Sequence, residues 1–420
     1  MAATNLLALP DELLFMICGQ FCHHCTQPGA ELRAHGLLRN DAAALRFLSQ
    51  TCQRLRKIAQ SVLHHDARPR QLGLLLRTIT ARPDLAAQVR VLCDSIQYSS
   101  ARFENGDLGV IPPGHVTDEE EQTWQEDIRR MQTLLVPTLM RLPAVEDLVV
   151  GVSFRRGYMW DTMFDMRSVK RLFLYPYNCR LGFGRLDAFL ALTPCVEELT
   201  LLNWTGLVMR PLTLSRLTSL KIQGFNLTAE SLEALVQLCP ILERFEFQQR
   251  VIEYEDPPLW MIEEEREPLT WRQMQDILRP RSATLKHLAF GFYPYSNEVG
   301  GGLSYNPADD VGSFRDFERL ETLRVESLSF RGLRFSDERG LEFYGYPETV
   351  SELVGMLPES LTVLRCDHCH AKWDGMELLA QAIRLGHFPR LKTVVSGEWG
   401  LKLEASRRML AAIGVTCKEP

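Results

Sequence analysis

The sequence lacks most of what marks a membrane protein, a secreted scaffold or an enzyme. No apolar run in its 420 residues approaches the roughly 20 that a spanning helix needs. Leu6 to Leu9 begins an apolar stretch, but Pro10-Asp11-Glu12 stops it short of a signal-peptide core. Strongly basic runs are missing and the formal net charge is −6, which speaks against a nucleic-acid partner. Eleven cysteines, an odd number, follow no regular frame, a pattern of reduced thiols in the cytoplasm or nucleus and not of a disulfide framework. Gly300-Gly301-Gly302 has no following Lys-Ser/Thr to make a phosphate loop, and neither a G-x-S-x-G elbow nor an H-E-x-x-H pair occurs. The acidic clusters at Asp118 to Glu121 and Glu263 to Glu267 read as solvated faces, and the seven tryptophans are dispersed. The expectation is a chain that is not an enzyme, takes no cofactor, and touches neither membrane nor nucleic acid.

What is present is a recurring phrase: an apolar residue, two others, Leu, one more, then a second apolar residue. It occurs at Val145–Val150, Val169–Leu174, Val196–Leu201, Leu217–Ile222 and Leu242–Phe247. It returns at Leu285–Phe290, Leu320–Val325 and Leu361–Cys366; Leu391–Val395 is a degenerate last copy and Val89–Leu92 a possible early one. The first five begin at 145, 169, 196, 217 and 242, a spacing that suits one strand and one helix per turn of a solenoid. Alternation after the first Leu puts Leu172 and Leu174 inward and Phe173 and Tyr175 outward. Between phrases, Leu186–Leu192 and Ser231–Leu238 carry helical spacing. Thr228 offers a helix start, and Thr193-Pro194 and Cys239-Pro240 offer stops. A dinucleotide-binding sheet would also alternate, but the period is too short for full crossovers and no Gly-rich loop follows a strand.

The N-terminal residues are of another kind. Leu9-Pro10-Asp11-Glu12-Leu13-Leu14-Phe15-Met16-Ile17 opens a helix, with Pro10 suited to the first position and the two acids to the positive end of the dipole. Leu45, Leu48, Cys52 and Leu55 form a second stripe at three- and four-residue steps. Two or three such helices bury too little area for an independent core, so the unit leans on a partner. A helical cap on the repeat array is the plainer alternative. The segment resembles an F-box, through its L-P-x-E-L opening and the later L-x-x-L-S-x-x-C-x-x-L-R run. The chain as a whole resembles fungal-type F-box proteins with irregular leucine-rich repeats.

That resemblance implies an α/β protein with a helical F-box module over 1–66, a helical linker and cap over 67–140, and a repeat solenoid over 141–420. It further implies a substrate receptor of a Skp–cullin–F-box ubiquitin ligase, cytoplasmic or nuclear. Its partners would be a Skp-type adaptor, through that adaptor a cullin, and an unknown target protein. A scaffold that binds the adaptor without promoting ubiquitination is the alternative. Leu9, Pro10, Leu13, Leu14, Ile17, Leu45, Leu48, Cys52 and Leu55 are then the adaptor-docking residues, some of them also holding the module together. Outward strand residues, above all Phe173, Tyr175, Lys221, Arg324 and Arg365, are the candidate target contacts.

Several segments fit neither pattern. Residues 22–40 exceed a compact F-box, and Pro28-Gly29 makes them a surface insertion. Tyr98–Gly114 reads as a linker, followed by a capping box at Thr117–Glu120 for a helix to about Leu135. Later insertions fall at 251–282, where Trp271–Leu278 is helical, at 293–313 and at 331–347. Two clusters, Cys22-His23-His24-Cys25 and Cys366-Asp367-His368-Cys369-His370, carry C-x-x-C with histidines, a zinc-type donor set. Cys366, however, falls on an inward strand position, where cysteine packs as a small hydrophobe, and the other cluster is far away in sequence. His64-His65 read as packed or exposed. On these grounds no metal is assigned.

Overall fold

The computed structural model describes residues 6–26, 42–69, 71–93, 126, 133–152, 165–176, 186–202, 214–224, 227–251, 269–294, 312–325, 333–336, 340–343, 349–366, 375–396 and 401–419. The protein is α/β and divides into two compact units, Met1–Leu199 and Thr200–Pro420.

The first unit opens with a 3-10 turn at Leu6–Ala8, then α1 (Asp11–Gly19), α2 (His23–Thr26), α3 (Ala42–Thr51) and α4 (Gln53–Leu63). Pro10 sits one residue outside α1, as its N-cap, and its carbonyl takes the Leu14 amide at 3.1 Å. Cys52 caps α4: its Sγ accepts the Leu55 amide at 3.5 Å. The helices close on a small core of Cys18, Cys22, Leu45, Ala59 and Val62, edged by Phe21, Leu48, Ile58 and Leu63.

Parallel strands follow: β1 (Asp66–Ala67), β2 (Val91–Cys93), β3 (Asp147–Val152) and β4 (Arg171–Pro176), each paired with the next. The leucines of the recurring phrase stack in register, Leu92 on Leu148 on Leu172, all buried. Helix 133–139 runs past the expected Leu135, while Tyr98–Gly114 and Thr117–Glu120 lie outside the described residues. β5 (Glu198–Leu202) straddles the division between the units.

In the second unit β6 (Ser219–Gly224), β7 (Arg244–Val251), β8 (His287–Pro294) and β9 (Thr322–Val325) run parallel in chain order. A separate antiparallel hairpin, β10 (Leu333–Ser336) with β11 (Gly340–Phe343), occupies part of the 331–347 insertion. β12 (Val363–Cys366), β13 (Thr393–Ser396) and β14 (Thr416–Lys418) then continue the parallel series from β9. One inward row is Leu220, Phe245, Leu288, Leu323, Leu364 and Val394; the other includes Ile222, Phe247, Phe290, Val325 and Cys366. All are buried. Helices expected from spacing form at Ala229–Gln237, capped by Thr228, and at Trp271–Leu278, where Thr270 and Gln273 make a capping box.

A single device repeats at the strand entries. The carbonyl of His65 receives the amides of both Arg90 and Val91, at 2.9 and 2.8 Å. Arg90 does the same for Glu146 and Asp147, and Glu146 for Lys170 and Arg171. In the second unit Glu243 receives Lys286 and His287, and Lys286 receives Glu321 and Thr322. Each entry thus satisfies two amides on one carbonyl. β1 and β2 belong to this series, so strand pairing begins near residue 65 and not at 141.

Candidate functional site

Leu13, Met16 and Ile17 lie at helical spacing on one face of α1 and are 40%, 58% and 37% exposed, although all three are apolar. Leu6, Leu7 and Phe15 are open nearby in sequence, and Phe47 on α3 is 69% exposed. Seven of the eleven exposed large apolar residues among those described therefore belong to this short module. Arg54 on α4 holds the opening segment in place. Its guanidinium donates to the carbonyls of Leu7 at 2.5 Å and Leu9 at 2.6 Å and to Asp11 Oδ1 at 2.7 Å.

The nine expected docking residues separate by burial. Pro10, Leu13 and Ile17 are exposed, and Leu9, Leu48 and Cys52 are half-buried. Leu14, Leu45 and Leu55 face inward at 1%, 2% and 5% exposure; in this conformation they support the helices and do not reach the surface. Met16, Phe47 and Arg54 were not foreseen. Met16 shares the three-residue step of Leu13, which the spacing alone could have indicated. Arg54 reaches back more than forty residues, and no local pattern marks it.

On the strands, the alternation at Leu172, Phe173, Leu174 and Tyr175 is as expected: the leucines are buried and the aromatics half-buried, with ring centroids 6.4 Å apart. In the second unit Lys221 and Arg324 both turn toward Glu246. Lys221 Nζ lies 2.9 Å and Arg324 Nη1 3.8 Å from its Oε1, while Gln248 donates to the same oxygen at 3.3 Å. Arg324 reaches across β8 because the intervening register position is the small Ala289. Both cations are thus engaged, with side chains only 12% and 18% exposed. Arg365 stands beside Arg324 in register, half-buried.

Neither the family models nor the curated proteins searched return a match to the sequence.

One constellation draws together residues from two separate stretches of the sequence. Cys22, His24 and Cys25, from the α1–α2 turn and α2, meet His65 at the α4–β1 junction, and their donor atoms all lie within 4.8 Å of one another. Cys25 Sγ is 3.3 Å from His65 Nδ1 and 3.8 Å from His24 Nδ1. The two imidazoles meet edge to face with centroids 5.7 Å apart, and Phe15 covers His65 at 6.1 Å. Burial pushes the Cys22 thiol up to about 12 and the His65 imidazole down to about 4; burial also lowers His24, opposed by the Asp147 and Glu146 carboxylates. In the second C-x-x-C cluster Cys366 is buried as expected, and Asp367–His370 lie outside the described residues. Among the described residues no helix is long and apolar enough to cross a membrane.

Proposed function

We propose that the protein is the substrate-receptor subunit of a Skp–cullin–F-box ubiquitin ligase, built from an F-box module and irregular leucine-rich repeats. The observation that carries the reading is the apolar face of Leu13, Met16 and Ile17, on a module whose own core is a handful of residues. A face of this kind, following the Leu9-Pro10-Asp11-Glu12 motif, suits a helical adaptor whose groove removes it from water. Asp11 is held by Arg54, so the motif's backbone is presented in a fixed form. On the target side the half-buried pair Phe173 and Tyr175 supplies aromatic surface. Lys221 and Arg324 would first have to release Glu246, which makes them weaker candidates than their charge suggests. Arg365 completes the target set. Such a receptor transforms nothing; it raises the effective concentration of a target beside a ubiquitin-charged enzyme.

Co-purification of the full chain with a Skp-type adaptor and a cullin, together with a target that accumulates when the protein is deleted, is the expected outcome. Recovery of the adaptor without cullin would favour the scaffold reading. Failure of the purified full chain to bind purified adaptor would remove both.

A further inference from the structure

We propose that Cys22, His24, Cys25 and His65 form a structural zinc site that clamps the helical module to the first strands. The donor set, two thiols and two imidazoles, is the one zinc takes when four protein ligands close the coordination sphere. With zinc–sulfur bonds of about 2.3 Å and zinc–nitrogen bonds of about 2.0 Å, the edges of a tetrahedral site measure roughly 3.3–3.8 Å. The Cys25–His65 and Cys25–His24 separations, 3.3 and 3.8 Å, already have that length. The remaining edges, none above 4.8 Å, need contract by at most about 1.5 Å.

The backbone prepares the arrangement. Cys22 and Cys25 are brought onto one side by the turn that the Cys25 and Thr26 amides make to the Cys22 carbonyl, at 3.1 and 3.0 Å. His65 is fixed by its amide to the Val62 carbonyl at 3.1 Å and by its own carbonyl at the β2 entry. Cys22 and His65 are buried, His24 is half-buried and Cys25 is exposed, so the cluster is walled on one side and open to an arriving ion on the other. Charged groups of both signs lie within electrostatic reach of it: Glu146 and Asp147 at the start of β3, Arg171 on β4, Arg90 before β2, and Arg68 after β1.

The charge balance is simple. Both thiols give up a proton as zinc binds, and the two thiolates cancel the charge of the ion. The metal then links the α1–α2 turn to the α4–β1 junction, two places forty residues apart in sequence. It does so whether or not the adaptor reading holds.

The test uses the full chain, reduced and freed of metal. Addition of cobalt(II) should give the visible ligand-field bands of a tetrahedral site with thiolate-to-metal charge transfer, saturating at about one ion per chain, and zinc should displace it. Cys25→Ser and His65→Ala should each weaken zinc retention at least about tenfold, while Cys239→Ser, at a buried thiol elsewhere, should not. Absence of the charge-transfer band in the unaltered chain overturns the proposal, whatever the variants do. Stoichiometric zinc that survives both substitutions unchanged overturns it as well.

Discussion

Two residues on α1, two positions apart, should respond to truncation in opposite ways. Leu14 is 1% exposed, whereas Met16 is 58% and its neighbour on the same face, Leu13, 40% exposed. Removing the buried Leu14 side chain leaves a cavity, and Leu14→Ala should cost about 2–5 kcal/mol of stability. The double substitution Leu13→Ala, Met16→Ala removes mainly surface already in water, and alanine favours helix, so its stability should stay within about 1 kcal/mol of the unaltered chain. Adaptor binding should reverse the order. The open areas of Leu13 and Met16 together amount to about one complete side chain, worth roughly 1.5–3 kcal/mol when removed from water. That corresponds to a loss of affinity of roughly 10- to 100-fold. Calorimetric titration with purified adaptor measures the second quantity, and urea unfolding of the same samples the first. Full affinity in the double variant, with binding lost only in Leu14→Ala and in step with unfolding, would refute the assignment of this face.

Three further outcomes follow from the second unit. Glu246→Gln leaves Lys221 and Arg324 without their shared carboxylate, and thermal unfolding should report a loss of about 2–4 kcal/mol; a change under about 0.5 would mean the cluster is idle. Thr270→Ala removes half of a capping box and should cost about 1 kcal/mol, seen as a lower urea midpoint. His287 on β8 is held below its ordinary range by burial and by Arg244, against the pull of Glu321. The unfolded chain therefore takes up this proton first. The stability His287 contributes is present above the ordinary histidine range and lost as pH falls below it. Comparing urea midpoints of the unaltered chain and His287→Gln near neutral pH and in mild acid should show a steeper acid decline with His287 present.

The strands were legible because their pattern is local. A leucine every second position on a half-buried strand needs no knowledge of its neighbours, so Leu172 against Phe173 was readable one residue at a time. Helix starts at Thr228 and stops before Pro194 and Pro240 were readable for the same reason. β1 and β14 were not: Asp66–Ala67 and Thr416–Lys418 carry no leucine phrase and form because an adjacent strand offers partners. Residues 331–347 hid a hairpin, since insertions there break the period that the eye follows. The candidate site was least legible of all. Arg54 meets Leu7, and His65 meets Cys25, across forty residues or more, and cysteine reads alike as packing, as a ligand or, at Cys52, as a helix cap. Only the folded arrangement separates those roles.

The paired amides at each strand entry bear on how such a chain can change length over generations. From residue 146 to 170, and from 243 to 286, different amounts of sequence return to the same two bonds on one carbonyl. The number of residues between junctions does not enter that geometry, and lengthening a loop costs only about 0.6 kcal/mol per doubling. Insertions and deletions between strands are therefore nearly neutral for register, while a one-residue change inside the phrase turns every side chain of that strand to the wrong face. Changes of length are steered into the intervals, so the register of the strands can stay fixed while the spacing between them varies.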